Sequence, residues 1–133
     1  MAESIIIHFR GQDALQVSQA LNKQFGSVGN NTWVFPLPEY LLRVSRYDSY
    51  EEEYDADEKA EVEAQLGEAP AVSYDFEIRR SRSDEACDVL ELFVKQHLSG
   101  MKIAVDDMFR IWSKKELAEA KDFLDIYRHD KIR

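Results

Sequence analysis

Cysteine, glycine, bases and long apolar runs are all scarce in this chain, and each shortage removes a class of protein. The one cysteine, Cys87, cannot form an internal disulfide, which fits a reducing compartment and removes thiolate-rich metal sites. Five glycines, Gly26 and Gly29 among them, make no Walker or dinucleotide loop, so nucleotide-cofactor enzymes are disfavoured and no cofactor is expected. No apolar stretch approaches the roughly 20 residues of a membrane span. The N-terminal run Ile5-Ile6-Ile7 also falls short of the about 7–15 residues of a signal-peptide core, and Glu3 stands where such a signal carries a base. A soluble, cytoplasmic protein without a membrane partner is the expectation.

What is present is 133 residues with 44% hydrophobic content, enough for a single domain over residues 1–133 with a true core. The 26 acids outnumber the 17 bases, for a net charge of −9, and the imbalance is local. Residues 47–69 hold ten acids and one base, Lys59, and so carry −9 by themselves. The other 110 residues hold 16 acids and 16 bases. Generic binding to nucleic acid or anionic lipid is disfavoured, since both need clustered cations.

Periodicity supplies the architecture. Ser4 to Arg10 reads as a strand, with Ile5, Ile7 and Phe9 on one face and Ile6 and His8 on the other, which suggests cover on both sides. Asp13 stands at an N-cap position, and Ala14, Val17, Leu21 and Phe25 follow at helical spacing to Gly26 as C-cap. A turn through Gly26, Gly29, Asn30 and Asn31 leads to a strand at Thr32 to Phe35, interrupted by Pro36 and Pro38, and then to a strand from Tyr40 to Tyr47. The acidic stretch follows, with helix-forming residues from Asp57 to Leu66 and a stop at Gly67 and Pro70. Val72, Tyr74, Phe76 and Ile78 then alternate with polar residues, the clearest half-buried strand in the chain.

Ser83 or Asp84 caps a helix with a stripe of Ala86, Val89, Leu90, Phe93, Val94 and His97, ending at Gly100, with Cys87 beside the stripe. Met101 to Val105 is a strand, Asp106-Asp107 a turn, and Met108 to Trp112 a brief return. Ser113 and Glu116 form a capping box before a final helix with Leu117, Ala120, Phe123, Leu124 and Tyr127. The expected fold is an α/β (α+β) two-layer sandwich, ferredoxin-like with a split β-α-β, an acidic insertion at 47–69 between the middle strands and an added C-terminal helix.

Catalytic constellations are missing from this pattern. His8, His97 and His129 lack zinc-ligand spacing, no Gly-x-Ser-x-Gly elbow occurs, and Cys87 sits among apolar residues. Asp55, Asp57 and Lys59 fail as a calcium loop, because the third ligand is a base and Ala60 replaces the turn glycine. No metal is therefore assigned. Arg43 and Arg79 would share a polar face with Asp75 and Glu77, which suits cross-strand ion pairs. Tyr74 and Phe76 fall on the core face, where they cannot stack on RNA bases.

The remaining candidate site is the acidic stretch, in which Tyr47, Tyr50 and Tyr54 interleave with Glu51, Glu52, Glu53, Asp55 and Asp57. Tyrosines are enriched at interface hot spots, and a concentrated negative field speeds capture of a cationic partner. In size and charge the chain is similar to bacterial toxin-neutralising immunity proteins. That resemblance implies a non-enzymatic inhibitor whose carboxylates stand in for nucleic-acid phosphates on a toxin's basic surface. The alternative is a self-associating ligand-binding or regulatory domain, a homodimer with a pocket near His8 and Trp33. A small hydrolase or isomerase pairing His8 with Asp106 or Asp107 would need those residues in one cleft.

Overall fold

Strand β1, Ala2–Phe9, lies inside the sheet because both of its faces are apolar or can be satisfied. It pairs antiparallel with β5, Val72–Arg79, on one side and with β6, Ile103–Asp106, on the other. β4 (Leu42–Arg46), β3 (Thr32–Phe35) and β2 (Gly26–Gly29) extend the sheet beyond β5, and β7 (Ile111–Ser113) extends it beyond β6. The order is β2-β3-β4-β5-β1-β6-β7, with every pairing antiparallel. The computed structural model describes residues 2–35, 41–79, 82–107 and 111–113.

The alternation in β5 sets the two faces. Val72, Tyr74, Phe76 and Ile78 join Ile5, Ile7 and Phe9 of β1 in the main core, covered by α1 (Ala14–Gln24) and α4 (Ser83–His97). Helix α1 contributes Val17, Ala20 and Leu21, and α4 contributes Ala86, Cys87, Leu90 and Phe93. Phe93 is central, its ring 5.1 Å from that of Phe25 and 5.9 Å from that of Phe76. Burying one such ring is worth about 1.5–3 kcal/mol, so this face supplies most of the fold's cohesion.

The acidic insertion folds back over the opposite face. Its first half contains a short helix, α2 (Tyr50–Glu53), and α3 (Ala56–Leu66) follows and rests on β6 and β7. Helix α3 begins with a capping box, Asp55 Oδ1 accepting from Glu58 N at 2.8 Å while Glu58 Oε1 accepts from Asp55 N at 2.9 Å. It ends at Gly67, whose φ of +81° is the left-handed conformation that favours glycine. The chain is thus a mixed α+β protein in which the sheet carries helices on both faces.

Several local expectations change. Asp13 stands at the N-cap of α1 as expected, but its side chain makes no cap hydrogen bond and pairs with Arg10 at 3.1 Å. Phe25, in extended conformation, closes α1. Gly26 instead opens β2, and the turn contracts to Asn30 and Asn31, whose φ values of 52° and 55° suit a tight hairpin. Helix α4 begins at Ser83 with Arg82 in the N-cap position, so Ser83 and Asp84 lie inside the helix rather than at its cap. Asp106 ends β6 rather than forming a turn, because its pairing with Ile6 and Ile111 holds it in the sheet. Pro36, Pro38, Tyr40, Arg80, residues 108–110, Glu116, His129 and the expected final helix lie outside the described residues. No described helix is long and apolar enough to cross a membrane.

Candidate functional site

The insertion is anchored by its aromatics. Tyr50 and Tyr54 are buried with Val62, Leu66, Ala104 and Ile111, and Tyr47 packs against that cluster. The rings of Tyr50 and Tyr54 are tilted at 4.9 Å, and both meet the imidazole of His8 edge-on, at 5.4 and 5.2 Å. Tyr50 Oη donates to the Lys59 carbonyl at 3.4 Å, which ties α2 to α3. Two of the three tyrosines expected at an interface are therefore interior anchors. Their spacing held the signal: Tyr50 and Tyr54, like Val62 and Leu66, are four residues apart and line one inward stripe.

Beneath the tyrosines lies a polar chain that sequence reasoning did not assemble. His8 Nδ1 is 2.6 Å from Ser73 Oγ, and His8 Nε2 is 2.9 Å from Tyr54 Oη, which donates to Asp106 Oδ2 at 2.5 Å. Because the Tyr54 proton is directed to the carboxylate, its oxygen accepts from Nε2–H, leaving Nδ1 to accept from the Ser73 hydroxyl. The donors all point one way, from Ser73 to Asp106. His8 is fully buried, and burial lowers its pKa to about 4, so it is neutral at pH 7. Burial and the Asp106 carboxylate push the Tyr54 hydroxyl well above the usual phenol range. Tyr50 is pushed up to about 12 by burial, with Glu63 and Glu51 adding to the shift. Register made this chain detectable in principle, since His8 lies across from Ser73 on one side and Ala104 on the other.

The outer side of the layer is strongly acidic. Glu51, Glu52, Glu53, Asp55, Asp57, Glu58, Glu61, Glu63 and Glu68 are all exposed. The single base is turned inward on this layer: Lys59 Nζ meets Glu51 Oε1 at 3.0 Å and lies 5.9 Å from the centre of the Tyr50 ring. Some acids also have structural duties, Glu53 accepting from the Tyr47 hydroxyl and Glu68 from Gly11 N.

The other nominated groups do not converge. Trp33 packs in the main core with its Nε1 donating to Asn22 Oδ1 at 2.8 Å, so the sheet separates it from His8. His97 meets Gln24 Oε1 at 3.0 Å, and Asp107 accepts from Trp112 Nε1 at 2.7 Å. Asp106 does approach His8, through Tyr54, but Ser73 and His8 are both buried. Arg43 lies across from Glu77, and Tyr74 and Phe76 are in the core. Among the described residues no group of three His, Cys, Asp or Glu could hold a metal ion. The fold and site define an antiparallel α/β sheet protein bearing an acidic helical layer on a buried polar anchor. Compared with known proteins, the chain matches no family model, no curated protein and no solved structure.

Proposed function

We propose that the chain is a non-enzymatic protein-binding module that presents the outer face of α2 and α3 to a basic partner surface, in the manner of a toxin-neutralising immunity protein. The observation that carries this reading is the division within one layer: tyrosines and Lys59 turned inward, nine carboxylates facing out. A carboxylate array on an anchored scaffold attracts cations at long range and replaces phosphates at contact. The central order β4-β5-β1-β6, with α1 and α4 on one face, supports a ferredoxin-like split β-α-β as the scaffold, extended by β2-β3 and by β7.

The adjoining reading frame is the first source of a partner, since immunity proteins resemble this chain in size and charge. The test is association of the purified chain with that product at several salt concentrations. A Glu52→Lys, Asp57→Lys, Glu61→Lys variant, which leaves the cap and the Lys59 pair intact, should associate roughly 10- to 100-fold more slowly at low salt, with a flatter salt dependence. No complex, or association unchanged by the reversal, would overturn the reading.

A further inference from the structure

We propose that the Ser73–His8–Tyr54–Asp106 chain is a proton-operated latch: with His8 neutral it holds the α2–α3 layer on the sheet, and protonation of His8 releases that layer while the main core stays folded. The geometry permits separate movement. Arg46, at the end of β4, pairs with Tyr74, and Tyr47 N donates to the Ser73 carbonyl at 2.9 Å, so the chain leaves the sheet close to where it rejoins it. The return passes through Gly67. The layer's apolar cluster is distinct from the main core.

The chemistry gives the direction. The added proton goes to Nδ1, which in the neutral tautomer accepts from Ser73, and places a charge at a fully buried site. Around it, β5 presents Ser73 and Asp75, β6 presents Asp106, the strap before α2 presents Tyr47, and α2 presents Tyr50 and Glu53. Tyr54 follows, and α3 brings Glu58, Lys59 and Glu63 to the outer side of the tyrosines. Both ring nitrogens of His8 meet hydroxyls, those of Ser73 and Tyr54, so lifting the layer hydrates the cation. Folded-state depression of a base makes the closed layer stable above the open-state pKa and progressively less so as pH falls through the window from 6.5 to about 4. Asp75 acts in the opposite sense, because burial raises its pKa and acid then favours the folded face.

Amide hydrogen exchange of the full chain, expressed as protection factors to remove the intrinsic effect of pH, reads the latch. Protection within Tyr50–Leu66 should fall by roughly 80-fold between pH 6.5 and 4, most of the way to the about 300-fold limit that the His8 shift sets over a wider pH range, while β1 and β5 amides keep theirs. His8→Gln should abolish that gradient. Tyr54→Phe keeps the ring but deletes the hydroxyl at the middle of the chain, and should raise opening of the layer roughly 5- to 100-fold at pH 7 without exposing β1. Loss of protection in the layer and sheet together at every pH, or a wild-type gradient in His8→Gln, would overturn the proposal. The latch stands or falls whether or not α2–α3 meets a partner.

Discussion

Among the described residues, the first face of the sheet carries a continuous apolar cluster of 23 buried residues, whereas the second face carries a smaller cluster of six, one of which, Tyr54, is a link in a directional hydrogen-bond chain. Cohesion on the first face is non-directional and redundant: Phe25, Phe76 and Phe93 contact one another or shared neighbours, and loss of one contact leaves others. The second face depends on orientation. Ser73, His8, Tyr54 and Asp106 each need their neighbour in place, and an unmade bond there leaves a buried polar group unsatisfied. One sheet thus combines a face that sets global stability with a face that fixes the seating of a charged layer.

The largest expected effect lies on the first face. Phe76 is fully buried between β1 and α4, so Phe76→Ala should cost about 3–5 kcal/mol, with urea transitions followed by circular dichroism and by aromatic fluorescence shifting together. Leu66→Ala, at the end of α3, should cost about 2 kcal/mol, the low end for a buried leucine, because the helix terminus can settle into the space. That loss should be confined to exchange within α2–α3. If Leu66→Ala moves the global urea midpoint as far as Phe76→Ala does, the two faces form one cooperative unit and the contrast fails.

The first face was legible because period-two and helical periodicities are local signals: Val72 to Ile78 and Ala86 to His97 each announce a buried side without knowledge of the partner. The β2 strand was not, since Gly26 to Gly29 has weak intrinsic strand preference and pairs only because Thr32 to Phe35 offers it a neighbour. The second face was hidden for a different reason. His8, Tyr54, Ser73 and Asp106 are spread over most of the chain, and only register across β1, β5 and β6 brings them together. Charge was visible as a located property, but its orientation was not: three tyrosines among acids looked like an exposed interface until Tyr50 and Tyr54 turned inward.

Asp55 tests the smallest part of the contrast, because it was nominated for its charge and is found capping a helix. Its carboxylate closes the box with Glu58 at the start of α3, so Asp55→Ala should cost the layer about 0.5–2 kcal/mol through one lost cap. Asp55→Ser keeps an acceptor for Glu58 N and should recover most of that loss while removing the same charge. Asp57→Asn removes a charge within the first turn of α3 without touching the cap and should change stability little, apart from its modest interaction with the helix N-terminus. Exchange within α2–α3 separates the roles. If Asp55→Ser is as destabilising as Asp55→Ala, then charge rather than capping seats this end of the layer, and the second face owes more to electrostatics than its hydrogen bonds imply.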